Sequence, residues 1–249
     1  MQQGICKYGE QLFPDFLSAN SLTIIGQAPL FVIMMSVFAL YGPNIDAQNA
    51  PPLSRELILL GGCLLYWFSL VDIMDGNRAR RLKVGSPLGR IIDEGGDTIT
   101  MANYSVFIAY VWGFTNPAFE ILYLALNFVF YAMEMRNKIT GNLIMNVGEL
   151  SPCELELMFS ISLILSGIFG TEFLGKTPGD YLGIPPGSKC PLHVVCEYQL
   201  RDIWGCFLFL VAIALLGDSL QDSLRHSVTK TIYFYLPVLF CLGMFFAMT

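Results

Sequence analysis

Charge is what this chain has least of. Asp, Glu, Lys and Arg make up only 14% of its 249 residues, where a soluble domain carries about 25%, so a water-soluble globule is excluded. Histidine is nearly absent, with two in all, and no Ser-His-Asp or Cys-His arrangement appears, which leaves nucleophilic triad chemistry without its parts. His226, beside Asp222, Arg225 and Lys230, reads as a solvated loop residue. The seven cysteines never form a Cys-x2-Cys pair, so zinc-site spacing is missing. Cys190 and Cys196 flank His193; free thiols are the expectation, with a disulfide as the alternative if that side is oxidising. No internal repeat and no low-complexity tract is present.

What the chain has in their place is apolar length. Hydrophobic residues form 54% of it, in runs near the roughly 20 residues that cross a bilayer core of about 30 Å. Seven spans are expected: Ser21–Leu40, Leu57–Val71 running on to Asp75, Thr98–Phe114, Ala118–Met135, Leu155–Phe169, Ile203–Leu216 and Thr231–Met248. The predicted fold is all-α, a polytopic membrane protein of one domain over residues 1–249, whose C-terminal helices occupy 203–249. With the N-terminus inside, Lys7, Arg78, Arg80, Arg81, Lys83, Arg90, Arg136, Lys138, Arg225 and Lys230 face the cytosol. Arg55, Lys176, Lys189 and Arg201 face away, a positive-inside bias. Residues 1–20, with Leu12, Phe13, Phe16 and Leu17 at helical spacing, are expected to form an interfacial amphipathic helix with Pro14 in its first turn or at a kink. No signal-peptide cleavage site follows the first apolar run.

The stretch from Asp72 to Asp97 carries the chemistry. It reads Asp72-x2-Asp75-Gly76-x2-Ala79-Arg80, eight residues, then Gly89-x3-Asp93-x3-Asp97. Each pair of acids has helical spacing, which puts its members on one face about 5–6 Å apart. Two helices joined by a short basic loop, carrying Arg78, Arg80, Arg81, Lys83 and Arg90, then aim four carboxylates at one point. Two unit charges at about 4 Å repel by roughly 4 kcal/mol at an effective dielectric near 20, so four need protons or cations. Oxygen-only ligands suit Mg2+ or Mn2+ shared with substrate phosphates. Gly76, Ala79 and Gly89 have little or no side chain and leave room for a nucleotide near the backbone.

This pattern resembles the CDP-alcohol phosphotransferase family, whose signature Asp-x2-Asp-Gly-x2-Ala-Arg-x8/9-Gly-x3-Asp-x3-Asp is matched here at every fixed position. Eight such positions, each at roughly one chance in twenty, make coincidence negligible. Ser86-Pro87-Leu88-Gly89 is similar to the eukaryotic choline/ethanolamine branch. So are Asn20-Ser21-Leu22-Thr23-Ile24-Ile25-Gly26 ("PNxITxxG", with Ala19 for Pro) and Thr140-Gly141-x-Leu143 with Pro152-x-Glu154. Asn20 and Thr23 either cap a helix or touch the nucleotide. Glu134, Glu154 and Glu156 are either solvated helix ends or site residues.

The resemblance implies a six-helix core plus one further helix, and a metal-dependent direct displacement. A phosphoalcohol passes from a CDP-alcohol to the hydroxyl of diacylglycerol, and CMP leaves. Asp72, Asp75, Asp93 and Asp97 are the implied holders of two Mg2+ or Mn2+ ions, with Asp97 also the general base. Asn20, Gly76, Ala79, Arg80 and Gly89 are the implied substrate contacts. The fifth and sixth spans contain no Lys or Arg, which suits a neutral lipid alcohol rather than a phosphorylated acceptor. One departure stands out: where the branch reads "GELFDHGCD", this chain has Gly-Arg-Ile-Ile-Asp-Glu-Gly-Gly-Asp, with Arg90 for an acid and Glu94 for a histidine. Glu94, held by Arg90 at i,i+4, substitutes for that histidine, or the exchange marks another acceptor or lost activity. The alternatives are a phosphatidylinositol or phosphatidylglycerophosphate synthase type, and an idle, lipid-binding subunit of a membrane complex. A homodimer or a larger membrane complex is expected among membrane lipids, with no nucleic acid. The site should face the cytosol from the endoplasmic reticulum, with the mitochondrial inner membrane as the alternative.

Overall fold

The computed structural model describes residues 9–41, 53–113, 116–141, 152–184 and 198–248. Among these the chain is all helical. Seven long helices, α1 (Ala19–Tyr41), α2 (Arg55–Leu82), α3 (Pro87–Trp112), α4 (Asn116–Thr140), α5 (Pro152–Phe169), α8 (Leu200–His226) and α9 (Val228–Met248), are joined by short pieces that include α6 (Glu172–Gly175) and α7 (Pro178–Leu182). Three of them are long and apolar enough to cross a membrane: Ala19–Leu40, Arg55–Leu82 and Leu200–His226. Their outer faces expose Phe31, Val32, Leu60, Phe209 and Leu210, side chains that water would not favour and lipid does. The protein is an integral membrane protein.

Helix α2 is central, and small residues bring its neighbours close. Gly62 lies against the α5 backbone, where an added Cβ would come within 2.9 Å of the Ile164 nitrogen, and Gly167 of α5 lies equally tight against Leu59. Close backbone approach of this kind drives helix packing where lipid removes most of the hydrophobic gain. Hydroxyls add to it: Ser160 donates to the Gly62 carbonyl at 2.8 Å and Tyr104 to Gly61 at 2.5 Å. Around these, Leu65, Phe68, Phe107, Trp112, Phe159 and Leu163 form the main buried cluster. A second pairing joins α4 to α8 through Val129, Met133, Val211 and Leu215.

The helices end where the sequence stops them. Ser86 caps α3, accepting from the Gly89 N–H at 3.0 Å, with Pro87 next, where a missing N–H costs nothing. At its other end Gly113 is left-handed, and Arg201 donates to the Trp112 and Gly113 carbonyls at 3.0 and 3.1 Å. Lys83 ends α2 in a left-handed turn at φ 54°, with the Val84 N–H reaching the Ala79 carbonyl at 3.1 Å, a conformation that glycine adopts more cheaply.

Two expectations are corrected here. The basic loop between the acid pairs is mostly helix: Arg78, Arg80 and Arg81 lie in the last turns of α2 and Arg90 in the first turn of α3, so only residues 83–86 connect them. Ala79-Arg80-Arg81-Leu82 are good helix formers, and cations favour a helix C-terminus. The segment before α1 is not a continuous helix. It forms a 3-10 turn at Glu10–Leu12, an extended Phe13, and a turn closed by the Leu17 N–H on the Pro14 carbonyl, because Pro14 cannot donate within a helix interior. Leu12 and Phe16 are exposed. The loop holding Cys190, His193 and Cys196, and Leu143 after Gly141, lie outside the described residues.

Candidate active site

One end of the bundle collects the polar residues. The C-terminal half of α2 and the C-terminal turns of α4 and α8 meet the N-terminal turns of α1, α3 and α5 there, linked by Thr23–Asp75, Ser69–Glu156, Arg90–Glu134 and Arg136–Asp222 contacts. Asp72 and Asp75 project from α2, and Asp93 and Asp97 from α3. Carboxylate oxygens of Asp72, Asp75 and Asp93 all lie within 4.8 Å of one another. The convergence expected from the spacing is therefore present for three of the four acids. Asp97 stands one turn further along α3; its charged neighbours include Asp72, Asp93, Glu156, Glu94 and Asp75.

Does this set fit a divalent cation? Two oxygens on opposite sides of one Mg2+, each at about 2.1 Å, are separated by about 4.2 Å, so a small side-chain adjustment brings three carboxylates onto one ion. Asp93 Oδ1 and Asp97 Oδ1 are buried with no hydrogen-bond partner among the described residues. Asp72 and Asp93 bring carboxylate oxygens within 4.8 Å of each other, a repulsive approach for two bare carboxylates. The hard, oxygen-only donor set is the one magnesium and manganese favour. The residues fit.

The surrounding side chains sort themselves by what they touch. The Thr23 hydroxyl donates to Asp75 Oδ2, with the Ala19 carbonyl 3.3 Å away as its other acceptor. Asn20, three residues earlier, presses on Gly89, where a Cβ would come within 3.0 Å of its side-chain oxygen. Gly89 thus has a packing reason to be small. Gly76 has none: a Cβ there would meet only the Arg80 guanidinium at 3.5 Å. Arg80 is exposed and donates to Asn77 Oδ1 at 2.8 Å, a contact easily exchanged for an anion. Arg78 is different. It is wholly buried and donates to the Phe13 and Pro14 carbonyls at 3.3 and 2.5 Å, so it is structural and not a phosphate contact. Glu94 lies 3.5 Å from the Arg90 guanidinium, which also reaches Glu134 at 3.6 Å.

The family model described as CDP-alcohol phosphatidyltransferase matches residues 16–166 of this chain, a stretch holding all of these acids. The chain belongs to the CDP-alcohol phosphatidyltransferase family. Human cholinephosphotransferase 1 is 29% identical over 174 residues, covering 69% of this chain and 40% of the relative. Choline/ethanolaminephosphotransferase 1 of Arabidopsis thaliana is 28% identical over 186 residues, 73% of this chain and 44% of the relative. A CDP-diacylglycerol–serine O-phosphatidyltransferase of Encephalitozoon cuniculi is 28% identical over 154 residues, 61% and 38%. The chain spans about two fifths of the length of these relatives. Helices α6 to α9 lie beyond the family match.

Two site neighbours, Ser69 and Gln27, escape the sequence reading, which leaves Glu134 and Glu156 open between solvated helix ends and site residues. Glu156 turns inward: the Ser69 hydroxyl donates to it at 2.6 Å, and it heads an apolar cavity lined by Met101, Met133, Phe159 and Leu215. Ser69 stands three residues before Asp72, so its place on the acid-bearing face of α2 was available from periodicity. Glu134 joins Arg90 across helices, a contact between distant parts of the sequence that no local spacing announces. Gln27 lies over Gly96, and a Cβ there would collide with its amide.

Proposed function

We propose that this chain transfers the phosphoalcohol of a CDP-alcohol, phosphoethanolamine or phosphocholine, to the hydroxyl of diacylglycerol and releases CMP. The observation that carries the reading is the convergence of Asp72, Asp75 and Asp93 to within 4.8 Å in a chain of this family. Those three acids would hold Mg2+ or Mn2+, two ions if Asp97 completes the set, and ions bound there would supply Lewis-acid polarisation of the diphosphate and charge to offset the leaving CMP. Thr23 keeps Asp75 turned toward the cluster. Arg80 exchanges Asn77 for phosphate oxygens, to which its fork is suited, and Gly76 and Ala79 keep the α2 surface low beneath them. Asn20 and Gly89 form the opposite wall of the nucleotide site.

Asp97 accepts the proton of the acceptor hydroxyl. The hydroxyl oxygen bonds to the phosphorus that bears the alcohol, and the bond from that phosphorus to the CMP oxygen breaks. Glu94, positioned by Arg90, assists the proton's departure. Orientation and fixed charge provide most of the acceleration, because a carboxylate crowded by cations is a weak base. In this reading the single domain of seven spans turns its acidic end to the cytosol, in the endoplasmic reticulum or the mitochondrial inner membrane, as a homodimer or within a larger complex. The segment before α1 lies on the membrane surface, with Leu12 and Phe16 toward lipid.

The microsporidian serine relative favours a second reading, in which the diacylglyceryl group arrives on the CDP donor and a small alcohol accepts. One panel separates the two: labelled CDP-choline and CDP-ethanolamine with diacylglycerol, against CDP-diacylglycerol with serine, inositol or glycerol phosphate, each with Mg2+ or Mn2+. Transfer in the first set is the expected result; transfer only in the second overturns it. No transfer in either set makes the chain an idle member. Asp97→Asn should abolish turnover and leave metal-dependent CDP-alcohol binding within about threefold of wild type, since ligand oxygens remain. Wild-type turnover by that variant removes Asp97 from the mechanism.

A further inference from the structure

A second cavity opens beside the acids, of about 250 Å3, between α1 and α3. Gln27, Gly96, Thr100 and Asn103 give it polar edges; Ile24 and Phe31 are among its apolar walls, and no lining residue is charged. Ile24, Phe31 and Ile99 are each half or more exposed on the outer surface, and α1 is one of the three helices fit to cross a membrane. The cavity therefore opens sideways, toward lipid. Its lining adjoins the acidic cluster along both helices: Gly96 lies between Asp93 and Asp97, and Gln27 is one turn beyond the Thr23 that holds Asp75.

Gln27 is the unusual group. Its Nε2 is buried with no hydrogen-bond partner among the described residues, and it occupies space that any side chain at position 96 would take. A buried amide donor without an acceptor is costly, so the site is built to receive an oxygen. A nucleotide would require charge here, and there is none. A neutral ester carbonyl carried on an acyl chain satisfies both the donor and the apolar walls. The volume falls below that of pockets which enclose a whole drug-sized ligand, and suits a glyceryl ester with the start of its chain, the remainder lying in the bilayer.

We infer that the α1–α3 cavity seats the ester group of the diacylglycerol acceptor and that Gln27 Nε2 donates to its carbonyl, a specificity-determining contact. The inference rests on the reading of diacylglycerol as acceptor, and the test separates the two. The full chain, in lipid nanodiscs with Mg2+ and the CDP-alcohol it turns over, is assayed with dioleoylglycerol and with its dialkyl ether, which lacks the carbonyls. Wild type should show a KM for the ester about two- to tenfold below that for the ether, the size of one neutral hydrogen bond. Gln27→Leu should erase that ratio by raising the ester KM, with the KM for CDP-alcohol unchanged. Gly96→Ala, which displaces the amide, should act in the same direction, and Gln27→Leu/Gly96→Ala should be no worse than Gln27→Leu. An ester-to-ether ratio equal in wild type and Gln27→Leu overturns the inference alone. So does a Gln27→Leu effect on the CDP-alcohol KM alone. Absence of transfer to either diglyceride by wild type overturns the acceptor reading with it.

Discussion

Two acidic groups share the polar end of this bundle, and they are built on opposite terms. Between α4 and α8, Asp218 and Asp222 each meet the nearly buried Arg136, at 2.9 and 2.8 Å. Between α2 and α3, Asp72, Asp75 and Asp93 crowd together, and Asp93 and Asp97 each keep a buried oxygen without a partner. The first group carries its own counterion and so closes a structural joint. The second forms no ion pair among the described residues, and Arg80 near Asp75 and Arg90 near Asp93 offset only part of its charge; in the proposed reading, cations and a diphosphate complete the balance. What separates a joint from a site in this molecule is where the positive charge comes from.

The comparison is tested most severely by removing one acid from the second group. Asp93→Asn should lower turnover by at least about a thousandfold, the scale of losing a charge-stabilising group, while raising the metal-free thermal midpoint because a repulsion is gone. Activity and thermal shift measured on the same preparation check both signs; a lowered midpoint would mean that Asp93 is a structural residue. Stripping divalent ions should likewise stop turnover, and restoring saturating ion at about 100 times its Kd should stabilise the fold by about 2.7 kcal/mol. Arg136→Met attacks the first group and should do the reverse. It leaves two acids facing each other, with a cost of about 3 kcal/mol seen as a lower midpoint, and only a modest fall in activity in the variant that still folds. The smallest effect is expected between the two acid pairs. Lys83→Gly relieves the left-handed turn that ends α2 and should gain about 0.5–1 kcal/mol, less the entropy that glycine adds to the unfolded chain.

The four aspartates were legible because helical spacing is a local property, and three of them do meet. The seven long helices follow the seven expected runs, although among the described residues only three are long and apolar enough to cross a membrane. Arg78 was not legible. Grouped with the other basic residues of the signature, it read as part of a short basic loop, yet it sits one turn after Asp75 on a helix that continues to Leu82 and donates to Phe13 and Pro14 before α1. Its partners are carbonyls 64 and 65 residues away in the sequence, and no local pattern records such a pairing. Gln27 was missed and Glu156 left open on similar grounds: each became informative only when a distant helix, carrying Gly96 or Ser69, was laid against it.

The anchoring of Arg78 in the Phe13 and Pro14 carbonyls has a practical side. Phe13 and Pro14 are tied to the same α2 that presents Asp72 and Asp75, so this part of the stretch ahead of α1 packs as one unit with that helix. Trimming the chain to the start of α1, or grafting a foreign leader at that point, would strand a guanidinium in a dry interior one turn from Asp75. Chimeras between family members should therefore exchange that stretch and α2 as a unit.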